Sequence, residues 1–183
     1  NSVHSDGGYG THSYATVGGG ANWVYGGDHG IFTISAAGLH NAISTYGDST
    51  AYVTAAAGYQ TVGTGSGNDV ISLVGGYNGV NAGEGSNTVT AAGLANVVTV
   101  GGGNDTITAL GGYNKVTGGG GNKTLNVDGG WNTINVGSGN DWIQAGSGAN
   151  IVNAGDGSDT IVVVGLANLV TTGDGRSTIT GLG

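Results

Sequence analysis

The chain has 183 residues, of which 43 are glycine and none is proline, cysteine or methionine, and three Lys+Arg against eleven Asp+Glu leave a net charge of -8. A hydrophobic share of 37% argues against a disordered tail, the missing cysteine rules out disulfides and thiolate metal sites, and the negative charge opposes nucleic acid and anionic lipid. The longest apolar stretch, around Ile161–Ala167, falls far short of the ~20 residues of a membrane-spanning helix, so no membrane insertion is expected.

Proline removes a backbone donor, so its absence fits a chain whose N–H groups are nearly all used in a ladder. In chain order, Asn1-Ser2-Val3 reads as a first rung, followed by GANWV with Asn22, GLHNAI with Asn41, and AGYQTV, where Gln60 replaces asparagine. The spacings are 19, 19 and then 18 into the next rung. From residue 65 onward the period is 18: glycines at Gly65, Gly83, Gly101, Gly119, Gly137, Gly155 and Gly173 each open a turn that runs into a short β-branched stretch such as Thr106-Ile107-Thr108. Half a coil later comes Gly-x-x-Asn-x-aliphatic, with Asn78, Asn96, Asn114, Asn132, Asn150 and Asn168 in strict register.

This pattern predicts an all-β parallel β-solenoid, a flattened β-roll of about ten 18-residue coils. Two turn-plus-strand halves per coil, stacked at ~4.8 Å, would give a rod roughly 45–50 Å long. It is read as one domain over residues 1–183, irregular in 1–64 and regular in 65–183. One aliphatic row per face should point inward: Ile71, Val89, Ile107, Leu125, Ile143, Ile161 and Ile179 on one, Val80, Val98, Val116, Ile134, Val152 and Val170 on the other. Such a thin rod offers no pocket in which catalytic groups converge, so the chain is not expected to be an enzyme.

The two edges of the rod differ in chemistry. A side-chain amide carries both donors and acceptors, so Asn22, Asn41, Gln60, Asn78, Asn96, Asn114, Asn132, Asn150 and Asn168 are expected to stack as a structural ladder along one edge. On the other edge stand GSGND (65–69), GGGND (101–105), GSGND (137–141) and GDGSD (155–159). These resemble the glycine- and aspartate-rich nonapeptide of RTX proteins, the haemolysin-type calcium-binding repeats, closely in residues 65–183 and faintly before. The resemblance implies a β-roll in which aspartates and turn carbonyls of neighbouring coils hold Ca²⁺, with Asp69, Asp105, Asp141 and Asp159 as metal-side candidates and Asp156 beside them.

The departures from that pattern limit it. The aspartate position holds Asn87, Lys123 and Ser177 in other coils, and the Asn edge lacks aspartate, so calcium is expected at one or two sites near Asp141, Asp156, Asp159 and Asp174, with Asp141 and Asp159 the only two of the metal-side candidates on adjacent coils. Lys123 is expected to pair at the surface with Asp105 and Asp141, worth about 0–1 kcal/mol.

Further along the list of chemistry-bearing residues, His4, His12, His29 and His40 cluster in the first 40 positions without a cysteine or glutamate partner, and turn exposure is the plainer reading. Tyr59, Tyr77, Tyr113 and Trp131 form an aromatic ridge interrupted by Ala95 and Ala149, suited to sugar faces or to a neighbouring rod. Three classes of function follow in order: a non-catalytic secreted structural solenoid that assembles head to tail with copies of itself and contacts cell-surface polysaccharide; a calcium-stabilised module of a larger secreted adhesin, toxin or enzyme; and an ice-binding solenoid, from Thr88/Thr90, Thr106/Thr108 and Thr178/Thr180. Asn1 is not a translation start, so the chain reads as a mature product or a piece of a longer one, extracellular or at the cell surface.

Overall fold

Sequence repeats of one length can close only if each coil lies on the last in the same register, and a computed structural model describing residues 1–183 shows this stacking throughout. The chain opens with β1 (Ser2–Ser5), β2 (His12–Gly18), β3 (Ala21–Gly26), β4 (Ile31–Ala37), β5 (His40–Ser44), β6 (Thr50–Ala56) and β7 (Tyr59–Gly63). Four longer strands follow, β8 (Val70–Asn81), β9 (Thr88–Val100), β10 (Asp105–Gly118) and β11 (Lys123–Asn135). Five short ones complete it: β12 (Trp142–Gly146), β13 (Ala149–Asn153), β14 (Thr160–Val164), β15 (Ala167–Thr171) and β16 (Thr178–Leu182). All pair in parallel, β2-β4-β6-β8 and β12-β14-β16 on the Asp side, β1-β3-β5-β7-β8 and β13-β15 on the Asn side, joined by β8-β9-β10-β11. The fold is an all-β parallel β-solenoid of about ten coils.

In the middle coils the chain differs from the expected two separate halves. β8 to β11 each run unbroken from the Asp side to the Asn side, so the corner at Gly75, Gly93, Gly111 and Gly129 is a bend within the hydrogen-bonded ladder. An exact 18-residue repeat makes this available, because every corner residue finds its counterpart in the coil below, as Tyr113 finds Trp131. The opposite turns stack too: Gly101 N–H donates to Gly83 carbonyl at 2.6 Å, and Gly119 to Gly101 at 3.1 Å. Proline would interrupt any of these bonds.

Strand alternation sends every second side chain inward. The two expected rows are buried from Ile71 to Ile161 and from Val80 to Val152, while at the last coil Val170 is partly covered and Ile179 is 49% exposed, since no further coil lies over it. Each face also carries a second inward row two residues on: Leu73, Ala91, Ala109, Val127, Ala145 and Val163, and opposite them Ala82, Val100, Val136 and Ala154. Alternating large and small residues fill the same thickness from coil to coil.

The Asn edge is an amide ladder. Nδ2 of Asn78 donates to Oδ1 of Asn96 at 2.8 Å, and the relay continues through Asn114, Asn132 and Asn150 to Asn168 at 2.7–2.8 Å. Each amide also donates to the corner, as Asn114 does to Asp128 carbonyl at 3.0 Å. Upstream a second relay runs Asn1, Asn22, Asn41, Gln60. It stops there: the longer Gln60 side chain turns its amide back onto Ala57 carbonyl, and Asn78 Oδ1 is buried without a donor. The break falls where the 19-residue spacing gives way to 18.

Gln60→Asn should rejoin the two relays and raise the melting temperature by about 2–4 °C, the equivalent of one recovered buried hydrogen bond of ~1 kcal/mol. Asn114→Leu, which takes the donor from the Gly111 and Asp128 carbonyls and Asn132 Oδ1 and the acceptor from Asn96 Nδ2 at ~1–3 kcal/mol, should lower it far more than Asn1→Leu at the exposed end. Thermal melts of the three variants check both, and a lower melting point for Gln60→Asn would contradict the break.

Candidate functional site

Immediately after each Gly-rich turn on the Asp side, one residue per coil is fully buried although it is polar or charged: Asp69, Asn87, Asp105, Lys123, Asp141 and Asp159 are each no more than 2% exposed. The turn puts this residue at the first inward-facing position of the strand, so its side chain lies over the backbone of the neighbouring coils. Its first oxygen accepts the N–H of the residue 18 positions earlier. Asp69 takes Ala51 N–H (2.7 Å), Asn87 takes Asp69 (3.0 Å), Asp105 takes Asn87 (2.8 Å), Asp141 takes Lys123 (2.6 Å), and Asp159 takes Asp141 (3.0 Å). Ser177 Oγ ends the series by accepting from Asp159 N–H at 3.2 Å. Lys123 is the member whose side chain has no acceptor to give.

The preceding residue builds a second, outer ladder that the motif GND carried without being read. Asn68, Asn104, Asn122 and Asn140 each accept, through Oδ1, the N–H of the residue 18 positions later at 2.7–3.0 Å. The recurrence of asparagine just before the buried residue was the signal.

The second carboxylate oxygens distinguish the coils. Asp69 Oδ2 and Asp141 Oδ2 are buried with no hydrogen-bond partner. Asp159 Oδ2 accepts from Ser177 Oγ at 3.1 Å. Asp105 Oδ2 has no well-aligned donor, yet lies 3.2 Å from Lys123 Nζ, an ion pair with both side chains wholly buried. The Lys123–Asp105 pair is therefore interior, not at the surface, and Asp141 touches Lys123 through its backbone N–H. The turn curls inward, and the lysine follows the inward direction its position imposes.

Electrostatics follow from this burial. Loss of water pushes the Asp69 carboxyl above the ordinary carboxylate range. Asp141 is pushed up by the same cause, pulled down by the Lys123 N–H bond, pushed up again by the neighbouring Asp159 charge and pulled down by the Lys123 charge, with a net rise. Both carboxylates stand in the chain short of a positive partner.

Asp156, by contrast, is exposed: its side chain lies outside the turn and accepts Asp174 N–H at 2.7 Å through Oδ1, so what it offers the interior is its backbone. Of the histidines, His4 and His29 line one groove with Asp6 and Asp28, without forming a metal cluster. His29 bonds Asp48 and stacks on Tyr9 at 4.1 Å, His4 bonds Asp6 at 2.7 Å, His40 stacks on Tyr59 at 4.8 Å, and His12 lies near Tyr14. No three His, Cys, Asp or Glu side chains gather as a metal cluster anywhere in the chain. Calcium needs no such side-chain cluster, since it takes six to eight oxygens and accepts backbone carbonyls among them.

Residues 99–130 and 126–161 match the family model for the RTX calcium-binding nonapeptide repeat, in four copies. The chain matches no curated protein and no solved structure. The donor set fits the ion such repeats bind: hard oxygens only, with an orphaned buried carboxylate oxygen on Asp141 and a second carboxylate, Asp159, one coil on. Asp141 and Asp159, with carbonyls of their glycine turns, are the residues that would hold it, and the ion would supply the positive charge these carboxylates lack. Register, buried acidic turns and this match together fit an RTX β-roll, and residues 99–161 are a run of RTX calcium-binding repeats.

Proposed function

We propose that this β-roll is a non-catalytic structural element of the extracellular space or cell surface, stiffened by calcium at the turn between Asp141 and Asp159. It stacks end to end with copies of itself into a filament, matrix or surface layer. The observation carrying the calcium part is the unpartnered Oδ2 of Asp141 facing a second carboxylate in the next coil. Sites of few charges in such oxygen-lined turns bind at the weaker end of the calcium range, which suits the calcium levels met outside cells.

At the last coil one inward row lies open, with Ile179 49% exposed against 0% for Ile161. A coil with the same 18-residue register would cover that surface. The second reading, a module of a larger secreted adhesin, toxin or enzyme, is favoured by the same face, because a further coil of one longer chain covers it equally well. The mass of the native product separates the two. Polysaccharide is the other partner this reading names, since Tyr59, Tyr77, Tyr113 and Trp131 are all close to half exposed along one ridge, with Tyr59 and Tyr77 stacked at 5.0 Å. The ice-binding reading is weakened by Trp142, 40% exposed and in register between Thr124 and Thr160, which interrupts the hydroxyl lattice.

Two experiments test the proposal. Because the folded pKa of Asp141 is raised, the folded chain holds protons that the unfolded chain releases. Stability in chelator should therefore increase as pH falls from neutral toward the ordinary carboxylate range, and the part due to Asp141 is lost as pH rises through its folded pKa. Asp141→Asn should raise the melting temperature in chelator at neutral pH by about 2–4 °C, flatten that pH slope, and abolish the gain wild type shows with calcium. An undiminished calcium response in the variant would overturn the site. For assembly, a charged folded domain fused after Gly183 should leave the β-roll intact and stop growth of fibres seen by electron microscopy. Identical assembly with and without the cap, or a monomer at high concentration, would overturn end stacking.

A further inference from the structure

A lysine is among the residues least often buried, yet the Lys123 side chain is 0% exposed and ranks with Phe32 and Leu125 among the largest side chains fully inside the rod. An unpaired ammonium there would be prohibitively costly, so its surroundings must supply oxygen on every side. They do. Nζ lies 2.6 Å from Gly120 carbonyl, 2.7 Å from Gly103 carbonyl and 3.2 Å from both Gly121 carbonyl and Asp105 Oδ2. Three carbonyls and a carboxylate from two adjacent turns form a cradle of hard oxygens, the donor type that a calcium ion selects.

The backbone of the cradle is set by glycine. Gly103 and Gly121 have φ of 113° and 90°, a region closed to side-chain-bearing residues, and this curl turns their carbonyls toward the interior. A third glycine has another purpose. Gly118 is not left-handed, and its row is otherwise filled by Ala82, Val100, Val136 and Ala154. A Cβ at Gly118 would come within 3.0 Å of Lys123 Cε and 3.1 Å of Val136 Cγ1. The missing side chain is the slot through which the lysine stem reaches the cradle.

The other coils show what the position does. Asn87, 36 residues before Lys123, points its amide at the same place in its own turn and donates to Glu84 carbonyl at 3.3 Å. Ser177 points its hydroxyl at Gly157 carbonyl and at Asp159 Oδ2. Lys123 and Ser177 thus reach the carboxylate of the coil before, whereas Asn87 fills only its own turn and leaves Asp69 Oδ2 without a partner. Asp159 is the one acid in that position above another acid.

We propose that the Lys123 ammonium is the resident cation of the turn formed by Gly103, Asp105, Gly120 and Gly121, a tethered replacement for a divalent ion that lets the middle of the rod fold without calcium. Asp105, Lys123 and Gly118 act as one unit, and ion binding is confined to turns without such a donor. The inference holds whether or not calcium occupies the Asp141 turn.

The test is Lys123→Asp beside Lys123→Asn, with melting curves in chelator and in calcium and with calcium stoichiometry by titration calorimetry. Lys123→Asp should melt roughly 10 °C below wild type in chelator, as expected for a broken buried pair. Calcium should recover most of that loss, and the variant should bind at least one ion more than wild type, even if wild type binds none. Lys123→Asn, which copies Asn87, should gain no ion. The proposal is overturned if Lys123→Asp binds no additional calcium, or melts with wild type in chelator, or fails to fold in calcium while Lys123→Asn folds. As an independent arm, Gly118→Ala should lower the melting temperature in wild type and be neutral or stabilising in the Lys123→Asn background. Equal losses in both backgrounds would overturn the assignment of Gly118 to the lysine stem.

Discussion

Exact superposition of coils is the constraint on which the structure depends. When each residue stacks on its counterpart 18 positions away, at ~4.8 Å, any feature placed once is placed again beside itself. Apolar side chains profit from this, and so do amides, which donate on one side and accept on the other. Charges do not. Two interior carboxylates at that separation repel by about 3–4 kcal/mol at an effective dielectric constant near 20, more than the ~1 kcal/mol a backbone N–H bond typically returns.

Both edges can be understood as answers to that arithmetic. The Asn edge repeats one neutral group, and its relay runs from Asn78 to Asn168 without a missing bond. At the Asp edge repetition is avoided: Asp105 is followed by Lys123 and Asp159 by Ser177, each of which reaches the carboxylate before it, and Asp69 by the neutral Asn87, which donates within its own turn and leaves Asp69 Oδ2 unpartnered. Asp141 followed by Asp159 is the exception, and the charge it leaves uncompensated is what a bound cation would balance. On the proposed reading, an edge of this composition would concentrate calcium at the Asp141–Asp159 turn and leave the Asp105 turn to the chain's own donor. Stiffness would then respond to calcium locally.

Much of this was legible in the sequence because periodicity is a direct record of stacking. The 18-residue register, the parallel strands, the two aliphatic rows and the asparagine ladder all follow from residues such as Ile107 and Asn114 recurring in place. What escaped was direction. Nothing in a period of 18 says that Lys123 turns inward, because a lysine's usual place is outside; the clue lay in Gly118, a glycine with no turn to make. Asp156 was grouped with Asp141 by proximity in sequence, although strand alternation and the turn put its side chain outside. The second inward rows were hidden by their alanines, which read as filler until Leu73 and Val127 are seen to alternate with them. Gln60 passed as an asparagine equivalent, and one methylene was enough to break the relay.

The most direct measurement of the central claim is the anomalous scattering of crystals grown with terbium in place of calcium, which marks each ion against the turns. The account expects an ion between Asp141 and Asp159, with Lys123 Nζ seated among the carbonyls of Gly103, Gly120 and Gly121 and no ion beside Asp105. An ion in the Asp105 turn with Lys123 displaced to the surface, or no ion between Asp141 and Asp159, would contradict it.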